Sequence, residues 1–222
     1  MPVNSDVVFL LDVDNTLLDN DRFGKDFGDR LEQAFGAEQR KRYWAIYAEL
    51  RDRESVADYL GALQSFRAGL DGNPELLQMS AFLLEYPFAE RLYPRALEVL
   101  AHLSTLGLTA ILSDGDIVFQ PRKVQRAGIW DAVGSRVLIA VHKEHSLDLM
   151  QQRFPAAHYV MIDDKPALLS AMKRVLGQRL TTIFVRQGHY AAESADMRID
   201  PAPDRQIERI ADLLDCDASW FR

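Results

Sequence analysis

The sequence predicts an α/β protein: a doubly wound, Rossmann-like parallel sheet core with an all-helical subdomain inserted after its first strand. Three observations predict it. Short, unbroken apolar runs recur along the chain and end on polar residues. Helix-like stretches separate the later runs. One long segment, from Asn20 to Tyr86, carries helical periodicity and no strand-like run.

The first run, Val7 to Leu11, ends at Asp12. Unbroken apolar runs with β-branched residues suit strands buried on both faces, the environment of a parallel sheet. Thr109 to Leu112 ends at Ser113, Val137 to Val141 at His142 and Lys143, Tyr159 to Ile162 at Asp163 and Asp164, and Thr181 to Val185 at Arg186. The predicted helices between them are Arg95 to Thr105 (with Gly107 as the expected stop), Pro121 to Ala127, Glu144 to Phe154 and Pro166 to Leu176. Asp204 to Leu214 reads as a final amphipathic helix. Alternating strands and helices imply a parallel sheet. Ligands of such sheets bind at the carboxyl ends of the strands, so Asp12, Ser113, Lys143 and Asp164 are expected on one edge.

Asn20 to Tyr86 is too long for a structureless loop, since loops beyond about 15 residues are uncommon. Its apolar residues recur at helical spacing, as in Tyr43, Ile46, Tyr47 and Leu50 and again in Val56, Tyr59, Leu60 and Leu63. Pro87 and Pro94 mark the return to the core. The expected division is residues 1–19 and 87–222 as the core and 20–86 as the helical subdomain.

With 48% hydrophobic residues in 222, the chain can bury a sizeable core. A net charge of -7 with no basic run argues against general nucleic-acid binding. The single cysteine, Cys216, cannot form an internal disulfide, and its acidic neighbours Asp215 and Asp217 disfavour a reactive thiolate. Residues Met1 to Asp6 lack the basic flank and apolar stretch of a signal peptide, and no apolar run approaches a membrane span. The expectation is a cytoplasmic protein without nucleic-acid or membrane partners. The five histidines show no clustering beyond His142 and His145, whose spacing puts them on one helix face with no evident carboxylate partner. Trp44, Trp130 and Trp220 are expected to be packing residues.

The most informative string is Asp12-Val13-Asp14-Asn15-Thr16. Two carboxylates two residues apart on a strand leaving the sheet point roughly the same way. One can act as a nucleophile, splitting phosphoryl transfer into two steps through an aspartyl-phosphate. The other can protonate the leaving alkoxide and then deprotonate the attacking water. Asp163-Asp164 is a second acidic pair, and carboxylates gathered at a buried strand end repel unless a cation sits among them. A hard, oxygen-seeking cation such as Mg2+ answers that need. Ser113, followed by Asp114, Gly115 and Asp116, offers a hydroxyl and backbone N–H groups as a phosphate seat. An ammonium at Lys143 would hold phosphate and neutralise charge beside Asp12.

Together these motifs resemble the haloacid dehalogenase-like (HAD) superfamily, whose first motif is an apolar strand followed by Asp-x-Asp-x-Thr. The resemblance spans almost the whole chain. It implies that Asp12 is a nucleophile that also binds Mg2+, and that Asp14 is the general acid/base with its backbone carbonyl on the metal. It also implies that Ser113, Asp114 and Lys143 lie at the phosphate, that Asp164 is a metal ligand, and that Asp163 assists it through water. The inserted segment corresponds to the family's helical C1 cap. The sequence departs from the family pattern at Asp114, where Asn is frequent, and at Glu144, where Pro often follows the lysine. The second departure keeps Lys123 as an alternative to Lys143. The implied activity is Mg2+-dependent hydrolysis of a small phosphorylated metabolite. Phosphomutase, haloacid dehalogenase and a non-catalytic phosphate-binding module are the alternatives. Dehalogenation requires neither a metal nor a second acid at the Asp14 position.

Overall fold

The computed structural model describes residues 5–54, 57–194 and 197–221, so Val56 and the first four residues lie outside the described set. The chain opens with strand β1 (Ser5–Leu11), followed by helices α1 (Asn20–Phe35), α2 (Ala37–Glu54), α3 (Tyr59–Phe66) and α4 (Glu75–Glu85). The alternating part contains α5 (Ala96–Leu106), β2 (Leu108–Asp114), α6 (Phe119–Arg126), α7 (Ile129–Ala132), β3 (Val137–Ala140), α8 (Leu147–Arg153) and β4 (Ala156–Asp163). It closes with α9 (Pro166–Leu176), β5 (Leu180–Val185), α10 (Gly188–Glu193) and β6 (Arg205–Ile207).

The six strands form one parallel sheet in the order β3-β2-β1-β4-β5-β6. Strand order reverses beside β1. That leaves a crevice at the carboxyl ends of β1, β2 and β4, where open α/β sheets place their ligands. Register fixes what meets there: Leu11 lies opposite Ile111 of β2 and Ile162 of β4. Asp12, Ser113 and Asp163 therefore emerge at one edge.

The period-2 alternation of side chains divides the core in two. Phe9, Leu11, Ile111, Val160 and Ile162 pack in one layer, together with α5 and the insertion's Phe23, Phe27, Tyr59 and Met79. Val8, Leu10, Ala110, Leu112 and Met161 pack in the other, against α8 and α9. Both layers are fully buried, which is why β1 reads as an uninterrupted apolar run.

The segment that carries helical periodicity in the sequence is helical in the fold. Asp19 caps α1 by accepting the Arg22 backbone N–H at 2.9 Å, and Asp58 caps α3 through Gly61 N–H at 2.7 Å. Tyr43 on α2 is fully buried, with Ile46, Tyr47 and Leu50 packed beside it. The insertion leaves and rejoins the core through two adjacent strands of chain. Leu18 bridges Leu92, Asp19 N–H donates to Arg91 O at 2.7 Å, and Tyr93 N–H donates to Leu17 O at 2.9 Å.

Three expectations fail locally. Glu144 to Phe154 is not one helix: a 3-10 turn covers Lys143–His145 and α8 begins at Leu147. β3 stops at Ala140, leaving Val141 exposed. Asp204 to Leu214 is not one helix: Arg205–Ile207 is an edge strand on β5, and a 3-10 helix follows over Ile210–Asp215. The cause is Asp204, whose carboxylate accepts both the backbone N–H (2.8 Å) and the hydroxyl (2.9 Å) of Thr182 and so docks the segment against β5. Trp44, Trp130 and Trp220 pack against the core, as read from the sequence. Among the described residues no helix is long and apolar enough to cross a membrane.

Candidate active site

Asp12 leaves β1 buried, and its backbone N–H is held by Ile162 O at 3.0 Å. Its Oδ1 accepts from the Ser113 hydroxyl at 3.1 Å and from Lys143 Nζ at 2.6 Å. Lys143 is fully buried and also lies 2.6 Å from Asp163 Oδ2. Burial works against the Lys143 charge, but Asp12, Asp163 and Asp114 outweigh it and hold the ammonium well above the ordinary lysine range. Asp12, Ser113 and Asp163 thus converge at the ends of β1, β2 and β4, and Lys143, from the 3-10 turn after β3, joins Asp12 to Asp163.

Asp12, Asp163 and Asp164 each offer a carboxylate oxygen within 4.8 Å of the others, and all three residues are buried. Asp163 Oδ1 is used locally, accepting the Lys165 N–H at 2.8 Å. Both oxygens of Asp164 are buried with no hydrogen-bond partner. Burial, then the charges of Asp163 and Asp12, pushes Asp164 up to about 9. Burial pushes Asp163 upward as well, in spite of Lys143. Buried polar groups are ordinarily satisfied, and an unpartnered carboxylate among like charges is costly. A hard divalent cation with oxygen ligands fits this donor set and would relieve both problems.

The turn after β1 folds back tightly. Asn15 takes a left-handed conformation (φ 58°), and its Oδ1 accepts the N–H groups of Asn20 (3.0 Å) and Asp21 (3.3 Å) at the start of α1. Its amide donates to Asp21 at 3.0 Å, and Asp21 pairs with His189 of α10 at 2.6 Å. This turn aims Asp14 at α6 rather than at solvent. Lys123 of α6 donates to Asp14 Oδ1 at 2.7 Å and to Oδ2 at 2.9 Å. Gln120, three residues earlier, donates to Asp14 Oδ2 at 3.3 Å and to Ser113 Oγ at 3.1 Å. Gly115 makes this possible: at φ 155° a Cβ there would lie 2.6 Å from the Gln120 Cβ.

Several groups around Ser113 that the sequence offered to phosphate are engaged within the protein. The Asp114 carboxylate accepts the Lys143 N–H at 2.8 Å, and burial pushes Asp114 upward. The N–H groups of Val118 (2.8 Å) and Phe119 (2.6 Å) at the start of α6 are taken by Asp116. Gly115 N–H is taken by Ala140 O at 3.0 Å. The Ser113 hydroxyl is left as the group of this loop that faces Asp12.

Sequence reading missed Gln120, Asn15 and the Asp21–His189 pair. Gln120, Asp21 and His189 lie on helices, and Asn15, although part of the string after β1, shows its role only in the folded turn. Lys123 is present, but against Asp14. The carboxylate not evident near His142 and His145 is Glu144, 3.7 Å from one ring and 4.0 Å from the other in a half-exposed 3-10 turn. Burial and the charges of Asp215, Asp212 and Asp217 push the Cys216 thiol upward, in keeping with an unreactive side chain.

Comparison with known proteins agrees with this geometry. A family profile described as haloacid dehalogenase-like hydrolase matches residues 7–175. The structure is similar to a haloacid dehalogenase-like hydrolase of Burkholderia xenovorans LB400, with 52% identity, a TM-score of 0.88 and coverage of 96% of this chain and 99% of that one. The fold is shared, at 20% identity and a TM-score of 0.57, with L-2-haloacid dehalogenase of Xanthobacter autotrophicus, over 93% of this chain and 96% of that one. It is shared too, at 14% identity and a TM-score of 0.62, with the magnesium-bound HAD-hydrolase YfnB of Bacillus subtilis, over 94% and 98%. No curated protein matches at a significant level. Motifs, topology and comparisons lead to one assignment: the chain belongs to the haloacid dehalogenase-like hydrolase family.

Proposed function

We propose that this hydrolase is a Mg2+-dependent phosphatase acting on a small phosphorylated metabolite. The observation that carries the reading is the buried Asp12, Asp163 and Asp164 cluster, in which Asp164 has neither a hydrogen bond nor an ion pair among the described residues. A dehalogenase has no use for a cation there. The second carboxylate, Asp14, supports the same choice, because displacing halide needs no proton donor.

In this reading Asp12, Asp164 and the Asp14 backbone carbonyl hold Mg2+, with Asp163 assisting through water. The metal would offset repulsion between an anionic nucleophile and an anionic phosphate. Lys143 is the lysine facing phosphate. Its ammonium donates one hydrogen bond, to Asp12, and pairs by charge with Asp163, whereas the donors of Lys123 are all engaged. Asp114 serves to tie the Lys143 loop rather than to bind phosphate, since its carboxylate is engaged there.

Asp12 Oδ1 is engaged by Ser113 and Lys143, which orients the carboxylate. An Asp12 oxygen attacks phosphorus as the bond to the leaving oxygen breaks, and Asp14 gives its proton to that oxygen. Asp14 then takes a proton from water, whose oxygen attacks phosphorus and frees the Asp12 carboxylate and inorganic phosphate.

Residues 20–86 act as the cap in this proposal. Burial and the charge of Asp14 together push Tyr47 of α2 up to about 12. Burial and the charges of Tyr47 and Asp14 raise Tyr59 of α3 as well. The insertion therefore sets aromatic hydroxyls within the electrostatic reach of Asp14. The test is turnover of p-nitrophenyl phosphate with Mg2+ and with excess chelator, beside halide release from L-2-chloropropionate. Mg2+-dependent phosphate release without halide release supports the reading. Halide release that persists in chelator overturns it.

A further inference from the structure

We infer that Lys123 is the positioning residue for Asp14 and couples its orientation to the helical insertion; the inference rests on the phosphatase reading, in which Asp14 moves protons. An ammonium has three N–H donors. Those of Lys123 find three acceptors: Asp14 Oδ1 at 2.7 Å, Asp14 Oδ2 at 2.9 Å and Asn20 Oδ1 at 2.9 Å. The residue is 1% exposed. Its Nζ lies 5.2 Å from the ring centre of Phe119, 5.7 Å from Phe23 and 5.9 Å from Phe88. A buried ammonium among rings has no water to fall back on, so its three oxygen partners fix where it sits and it fixes where they sit.

The partners come from separate parts of the fold. Lys123 stands on α6, Asp14 on the turn leaving β1, and Asn20 and Phe23 on α1, the first helix of the insertion. Gln120 adds a second contact from α6 to Asp14. Together these contacts turn both Asp14 oxygens toward α6. A movement of α1 that withdrew Asn20 would strand one N–H of Lys123 in an apolar cage. The position of the insertion and the aim of Asp14 are therefore one linked equilibrium. Lys123 contacts the proton-transferring carboxylate of Asp14 and is assigned no contact with the reacting phosphate. It acts through Asp14.

The test uses Lys123→Met, which keeps an apolar stem and removes the charge, Lys123→Arg, and Lys123→Met combined with Asp14→Asn. For each, kcat/KM is measured in saturating Mg2+ with p-nitrophenyl phosphate and with an alkyl phosphate such as glycerol 2-phosphate. The aryl leaving group departs without a proton, and the alkyl one does not. Lys123→Met is expected to lower kcat/KM for the alkyl phosphate by about 10^2-fold or more, within the range general acid catalysis supplies, and for the aryl phosphate by under about tenfold. Lys123→Arg restores much of the alkyl activity because it keeps a cation in reach. The double variant loses no more than Asp14→Asn alone, since both changes remove one device. Equal losses on both substrates, or multiplicative losses in the double variant, overturn the inference. If Lys123→Met fails to fold, the charge-neutral double variant and Lys123→Arg carry the comparison. Crystal structures of the wild type and a Lys123 variant give a readout independent of turnover. Asp14 is expected to leave α6 in Lys123→Met or, failing its folding, to shift with the guanidinium in Lys123→Arg. An unmoved Asp14 side chain strikes the inference alone, whereas no turnover of either phosphate by the wild type strikes the phosphatase reading itself.

Discussion

Asp164→Asn should act in opposite directions on stability and on metal binding. In metal-free protein the folded state holds Asp164 up near 9, against an ordinary value of 3.8. Between those values the folded state keeps a proton that the unfolded state releases, so stability falls as pH rises from about 4 to about 9. Each unit is worth about 1.4 kcal/mol, so by pH 7 the accumulated loss has an upper bound of about 4 kcal/mol. Asn is neutral at every pH and removes this loss. In excess chelator at pH 7 to 8 the variant should melt at or above the wild-type temperature, with a flatter pH dependence. Mg2+ reverses the ranking. At one hundred times its Kd it should stabilise the wild type by about 2.7 kcal/mol, or roughly 5–11 °C for a chain of this size. The variant, which has exchanged a charged ligand for a neutral one, should gain less than half of that. Thermal melts of both proteins from pH 5 to 9, with chelator and with Mg2+, provide the measurement. An unchanged wild-type melting temperature in Mg2+, or a variant less stable than the wild type in chelator at pH 8, would rule out this role for Asp164.

Two further substitutions probe neighbouring parts of the site. Lys143→Met leaves Asp12 and Asp163 buried without their cation, which should cost about 3–5 kcal/mol; urea unfolding in chelator measures it, and unchanged stability would mean that the pair contributes nothing. Tyr47→Ala removes an insertion side chain from the neighbourhood of Asp14 and should raise KM by about tenfold with kcat changed little, as expected when only uniform binding is lost; an unchanged KM would locate substrate recognition elsewhere.

The sheet was legible because burial on both faces writes itself into sequence as uninterrupted apolar runs. Val8 to Leu11 and Tyr159 to Ile162 are fully buried and lie inside the runs read from the sequence, whereas the less buried starts of β1 (Ser5) and β4 (Ala156) were not legible. β6 was not legible. Arg205 and Gln206 are exposed on an edge strand, so no apolar run marks it, and the strand exists because Asp204 docks on Thr182. Asp12, Ser113 and Asp164 could be read because each lies at or next to the end of a strand, and register in a parallel sheet gathers strand ends; Lys143 sits three residues past β3, in a 3-10 turn. Gln120 and Lys123 sit inside a helix, where polar residues ordinarily face water. Their burial follows from the tight turn at Asn15, which throws Asp14 against α6, and from Gly115, which lets α6 approach. The electrostatic character of Asp164 depends on burial and on Asp12 from the end of another strand as well as on its neighbour Asp163, and so has no purely local signature.

Whether Asp12 carries the phosphoryl group is decided by trapping it. Wild-type protein and Asp12→Asn, both folded, are mixed with p-nitrophenyl phosphate and Mg2+, quenched in acid during turnover, and mapped by peptide mass spectrometry. The wild type should carry a phosphoryl group on Asp12, and none should appear in chelator or on the variant, which should also show no measurable turnover. Phosphate release by Asp12→Asn, or wild-type turnover with the label on another residue, would contradict that role for Asp12.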